Sequence, residues 1–186
     1  MAKTQTKSHT QLKGGDKGRR KVVKACTILN KTPEELFQFW RNLENLPRFS
    51  QHILSITTKT NKVSHWVVKG PRDKNVEWDS EIINEHPNEL IAWRTIHDSG
   101  IENAGTIRFE PLQNWVAKGT VVKVALDYIP PAGKVGALVA KMTGEEPEMQ
   151  VEDDLMRFKA LMETGEIATI EGQPVGKEQQ GKGKRK

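Results

Sequence analysis

Between Val22 and Tyr128 apolar and polar residues alternate in short runs with a period of two, the signature of half-buried β-strands. Seven strands are predicted: Val22 to Leu29, His52 to Thr58, Lys62 to Lys69, Asn75 to Glu85, Glu89 to Ile96, Gly105 to Leu112 and Val116 to Tyr128. The rhythm breaks early, at Thr32-Pro33-Glu34-Glu35. There Thr32 can cap a helix, Pro33 fits its first turn, and Glu35 stands where a capping box needs it. Leu36, Phe37 and Trp40 supply that helix with an apolar side, and a second helical turn follows through Leu43 to Leu46.

The turn His86-Pro87-Asn88-Glu89 predicts a register. A two-residue Pro87-Asn88 loop pairs positions whose numbers sum to 175, which sets Glu81 opposite Arg94. Trp78, Ser80 and Ile82 then share one face with Ile91, Trp93 and Thr95, while Glu77, Asp79 and Glu81 fall on the other. The same alternation turns Ile107, Phe109, Val122, Val124, Leu126 and Tyr128 inward, with Arg108, Lys123 and Asp127 outward. An antiparallel sheet with one apolar face is implied. That face needs a cover, and the late helical pattern offers one. Val135, Leu138, Val139 and Met142 form a stripe, and Pro147 restarts a helix with Val151, Leu155, Phe158 and Met162 on one side and Gly165 as its terminal cap. On this reading Trp78 and Trp93 face Leu155 or Phe158 across one interior. The class is α+β, a helix-grip arrangement in which a curved antiparallel sheet wraps a long C-terminal helix, with two short helices after the first strand.

Composition adds limits. At 186 residues with 35% apolar residues the chain fits one domain, and no apolar run is long enough to span a bilayer as a helix. Cys26 is the single cysteine, so neither an intramolecular disulfide nor a thiolate metal cluster is available within one chain. With no signal-like apolar block near Met1, a cytoplasmic location is expected. The net charge of +5 is unevenly spread: residues 1–24 carry +7, residues 176–186 carry +4, and the remainder is acidic at about −6. We therefore divide the chain into a basic tail at 1–20, a folded domain at 21–165 and a second basic tail at 166–186, both tails being expected to be disordered. Weak, salt-sensitive contact of these tails with nucleic acid or anionic lipid is the partner reading their charge allows.

No catalytic constellation stands out. Glu77, Asp79 and Glu81 belong to the solvent face; His65, His86 and His97 are scattered without metal-ligand spacing; and Gly100, Gly105 and Gly119 form no phosphate loop. Neither a metal nor a cofactor is expected. Trp66, Trp78 and Trp93 on the inner face, accompanied by Ser80, Thr95 and Thr120, combine apolar walls with a few hydroxyls, as ligand pockets do.

Several segments carry a resemblance: IAWR at 91–94, NAGTIRFEP at 103–111, KGTVVKV at 118–124, YIPPAG at 128–133 and EDDLMRFKALMETGEI at 152–167. Over Lys24 to Gly176 they resemble the START-like SRPBCC superfamily. More closely they are similar to its bacterial polyketide cyclase/dehydrase branch, related to coenzyme Q-binding proteins. The resemblance implies the helix-grip fold and an internal cavity for a hydrophobic small molecule, and it transfers no catalytic residue. The expected lining is Trp66, Trp78, Ser80, Ile82, Trp93, Thr95, Ile107, Phe109, Thr120, Val122, Val124, Leu155 and Phe158. The expected function is binding or carriage of a lipid, quinone or polyketide-like ligand. The alternative is a cyclase or dehydratase working in the same cavity, with a histidine, Tyr128 or an acid moving protons.

Overall fold

The computed structural model describes residues 20–70, 75–96, 102–113, 117–129 and 147–167. The stripe at Val135 to Met142 and nearly all of both tails lie outside the described residues. The first strand, β1 (Arg20–Leu29), is followed by α1 (Pro33–Arg41), a 3-10 helix (Leu43–Arg48), then β2 (Ile53–Thr58), β3 (Val63–Lys69), β4 (Asn75–His86), β5 (Leu90–Thr95), β6 (Glu102–Pro111), β7 (Gly119–Ile129) and finally α2 (Pro147–Thr164). Arg20 therefore belongs to the sheet, paired with Tyr128, and not to the N-terminal tail in which its charge had placed it.

All seven strands form one antiparallel sheet in the order β1-β7-β6-β5-β4-β3-β2, curled into a half-barrel around the C-terminal helix. Its β4–β5 register follows the expected pairing at Ser80–Thr95, Glu81–Arg94 and Ile82–Trp93, and then slips by one residue to Asn84–Ala92, Glu85–Ile91 and His86–Leu90. The connection is thus three residues long instead of two. Asn88 takes a positive φ of 66°, Glu89 N–H donates to the His86 carbonyl at 3.0 Å, and a bulge at exposed Ile83 absorbs the extra residue.

Helix α1 begins as its sequence dictates. Thr32 Oγ1 accepts from Glu35 N–H at 3.2 Å and the Glu35 carboxylate accepts from Thr32 N–H at 2.8 Å, closing a reciprocal cap that holds the Glu35 carboxyl below its ordinary pKa. Thr32→Ala is expected to cost about 1 kcal/mol in urea denaturation, since it leaves first-turn donors without their side-chain partner. The cap aims Leu36, Phe37 and Trp40 into the sheet, where all three are buried.

Two sets of contacts fix α2. On one side it lies along β1: Glu152 pairs with Lys24 at 2.7 Å, Glu163 accepts from Leu29 N–H at 2.7 Å, and Lys159 donates to the Thr27 carbonyl. The last two engage main-chain groups of an edge strand that would otherwise face water. On its other side Phe158 enters a ring cluster, 5.0 Å from Trp40, 5.0 Å from Phe49 and 5.8 Å from Phe39. Gly165, at φ 80°, ends the helix by donating its N–H to the Leu161 carbonyl at 2.9 Å.

Candidate functional site

Between the 3-10 helix, the end of α1 and strands β3 to β5 lies a cavity of about 40 Å³. Its lining comprises Trp40, Leu43 and Leu46 on the helical side, and Ser64, Trp66, Ser80, Ile82, Ile91 and Trp93 on the sheet, with Glu81 at the margin. Sheet alternation explains the wall. Ser64 pairs with Ser80, and Ile82 pairs with Trp93, so side chains two apart on β3, β4 and β5 converge on one face. Trp66 and Trp93 are only half-buried, whereas Ile82 and Ile91 are sealed in the core.

The polar groups of this wall differ in what they have left to offer. Ser80 Oγ donates to the Arg94 carbonyl at 3.0 Å, so its proton is engaged. Ser64 Oγ accepts the Trp66 indole N–H at 2.9 Å and donates to no described residue. The indole N–H groups of Trp40 and Trp93 likewise meet no acceptor among the described residues. Glu81 turns its carboxylate to the other face of the sheet, 2.6 Å from the Arg94 guanidinium.

Of the residues expected to line a cavity, Trp66, Ser80, Ile82 and Trp93 meet at this one. Trp78 stacks on Trp66, ring centroids 6.0 Å apart and planes 14° from parallel, without entering the lining. Thr95 and Thr120 face inward, yet their hydroxyls serve the main chain, donating to Asn103 O at 3.1 Å and Lys31 O at 2.7 Å. Ile107, Phe109, Val122, Val124, Leu155 and Phe158 belong to the same buried core as the α1 and α2 contacts, with Phe109 edge-on to Phe37 at 5.9 Å. Across the cavity from Trp66 and Trp93 stand Trp40, Leu43 and Leu46, where the sequence pattern had placed Leu155 and Phe158. Helix α1 and the 3-10 helix fill that part of the interior.

Trp40, Leu43, Leu46, Ser64 and Ile91 line the cavity without belonging to the lining expected from the sequence. Ser64 carried a usable signal, standing two residues before Trp66 on one strand face. The helical residues carried none, because apolar spacing shows that α1 buries a side but not which strands it meets.

The remaining ionisable groups serve other surfaces. On the outer face Asp79 accepts from Lys59 and His65, both at 2.8 Å, and those hydrogen bonds hold its carboxyl below the ordinary range. Burial pushes the Cys26 thiol up to about 11, which keeps it protonated and unreactive. Asp154 of α2 is the notable exception. Burial raises its carboxyl to about 6, against opposing help from Ser50, His52 and Arg157, at the seam where α2 meets the chain entering β2. Ser50 Oγ, itself buried, reaches toward that carboxyl without completing a well-shaped hydrogen bond.

Residues 29–156 match the family described as polyketide cyclase/dehydrase and lipid transport. A Deinococcus radiodurans protein of known structure is 36% identical, with a TM-score of 0.63, and the match covers 79% of this chain and 99% of that one. An uncharacterised 17.2 kDa protein of Streptomyces lincolnensis is 28% identical over 127 residues, 67% of this chain and 77% of its own. The Zhui aromatase/cyclase of a Streptomyces species shares the fold at 15% identity and a TM-score of 0.53, over 81% of this chain and 99% of its own. Taken with the half-barrel and its gripped helix, the match over residues 29–156 places this chain in the polyketide cyclase/dehydrase and lipid transport family.

Proposed function

We propose that this protein binds a small hydrophobic molecule in the cavity between α1 and strands β3 to β5, as a binder or carrier. The observation that carries this reading is the make-up of the wall. Three indoles and four aliphatic side chains surround two serines, and among the described lining residues the one titratable side chain, Glu81, is paired on the opposite face. Such a wall can bury an apolar body and orient it through one polar group. The Ser64 hydroxyl hydrogen is suited to a carbonyl or ether oxygen on the guest.

Family membership also supports a cyclase reading, and the aromatase/cyclase that shares the fold supports it by analogy. Cyclisation needs a proton donor or acceptor at the substrate. The one carboxylate of the described lining, Glu81, is turned away and paired with Arg94, and the carboxyl raised toward neutrality, Asp154, sits instead against Ser50 and His52. That distribution favours binding over turnover.

Titration with prodan, a neutral naphthalene ketone whose emission reports its surroundings, tests the proposal. Saturable one-to-one binding is expected. Leu43→Trp, which fills the cavity from its half-buried helical rim, is expected to weaken that binding about tenfold or more while leaving the melting temperature nearly unchanged. A linear, non-saturating response, or a Leu43→Trp variant that binds as the parent does, would rule the cavity out as the ligand site.

A further inference from the structure

A cavity of about 40 Å³ is far below the roughly 300 to 1,000 Å³ typical of ligand pockets, so a guest must displace part of the wall. Which part yields is legible in the packing. Ile82 and Ile91 are locked in the core and Trp40 is held by Phe49 and Phe158, at 5.3 and 5.0 Å. Trp66 is tied by its bond to Ser64 and its stack on Trp78. Trp93 is half-buried and, among the described residues, takes part in no close ring pair and makes no hydrogen bond from its indole.

What positions Trp93 is a missing side chain. Gly105 is its direct partner across β5 and β6. A Cβ built on Gly105 would overlap Cζ2 of the Trp93 ring and stand 2.8 Å from Cε2 and 2.9 Å from Cη2. The indole therefore rests against the bare backbone of Gly105, in the volume that any other residue's side chain would take. A methyl group there cannot coexist with the ring as it lies.

We infer that Trp93, seated on Gly105, is the specificity-determining residue of this cavity, a width gauge that admits flat, uncharged molecules no broader than two fused rings and rejects broader fused-ring ones. The inference rests on the cavity reading above and adds to it which residue sets the limit and in which direction each substitution moves it. Removing the ring enlarges the space. Adding a methyl group beneath it drives the ring off its seat and into the space.

The test is binding of two uncharged hydrocarbons, naphthalene and the broader pyrene, followed by fluorescence, together with thermal melts. The parent protein is expected to bind naphthalene saturably and to exclude pyrene. Trp93→Ala should gain pyrene binding by about tenfold or more, and Gly105→Ala should lose naphthalene binding by a similar factor. Gly105→Ala should also lower the melting temperature in the parent and leave it unchanged in a Trp93→Ala background, where the ring that meets the methyl group is gone. The last comparison stands even when Gly105→Ala alone fails to fold, because rescue by Trp93→Ala then shows the same coupling. If the parent binds naphthalene and prodan while both single variants fold and keep its affinities for both hydrocarbons, the gauge is overturned and the cavity reading survives. If the parent binds neither naphthalene nor prodan saturably, both fall.

Discussion

Phe158→Ala is expected to lower the unfolding free energy by about 3 to 5 kcal/mol, with the melting temperature falling by about 10 °C or more. Phe158 is fully buried, and its ring meets Trp40, Phe49 and Phe39 at centroid distances of 5.0 to 5.8 Å. Its ring contacts join α2 both to α1 and to Phe49, just after the 3-10 helix. Truncation removes the transfer free energy of a phenyl ring, adds the cost of a void among rings already in contact, and forfeits aromatic pair terms of about 0.5 to 1.5 kcal/mol each. Replacement by leucine should recover a large part of the loss. Equilibrium urea denaturation gives the number directly, and a cost below about 1 kcal/mol would mean that α2 does not depend on this cluster.

Asp154→Asn is expected to stabilise the protein above neutrality and to leave it nearly unchanged in acid. In the folded chain the carboxyl releases its proton near pH 6, against 3.8 for the ordinary group, because burial disfavours the charge more than Ser50, His52 and Arg157 favour it. Between those two values the folded state holds a proton that the unfolded state has lost. Raising the pH across that window therefore draws the equilibrium toward unfolding, and the favourable contribution is gone above pH 6. At about 1.4 kcal/mol per pH unit the difference amounts to about 3 kcal/mol, an upper figure because asparagine keeps only part of the native contacts. Denaturation of the parent and Asp154→Asn at pH 4 and pH 7.5 should show a gap that opens with pH. A gap that closes instead would mean that Arg157 and His52 outweigh burial at this seam.

How far the sequence could be read follows from the range over which each signal acts. Period-two alternation is local, and it located all seven strands, the inward set from Ile107 to Val124, and the Glu81–Arg94 pair at 2.6 Å. The bulge at Ile83 escaped because a single inserted residue leaves both flanking runs alternating, and a Pro-Asn step fits a loop of two residues or three. Capping chemistry was legible at Thr32 and Glu35 for the same local reason. Tertiary placement was not. Leu36, Phe37 and Trp40 announced a buried side, but only the folded chain brings Trp40 beside Trp93.

The cavity shows this division most clearly. Trp66, Ser80, Ile82 and Trp93 were recognisable from their shared face, whereas Leu43, Leu46 and Ser64 complete the wall from elements whose docking no periodicity records. Gly105 is legible in the sequence only as a strand end outside any phosphate loop, because its close approach to Trp93 involves a partner twelve positions earlier in the chain. Asp154 is half-buried where α2 meets the chain carrying Ser50 and His52, a contact that no helical spacing records.

The five tryptophans of the chain make the central claim open to direct measurement, since each indole N–H gives its own signal in a nitrogen–proton correlation spectrum. With prodan added stepwise to the parent protein, the cavity account predicts that the signals of Trp40, Trp66 and Trp93 shift most, together, and saturate along one binding curve. Shifts confined to other tryptophans, or none that saturate, would contradict it.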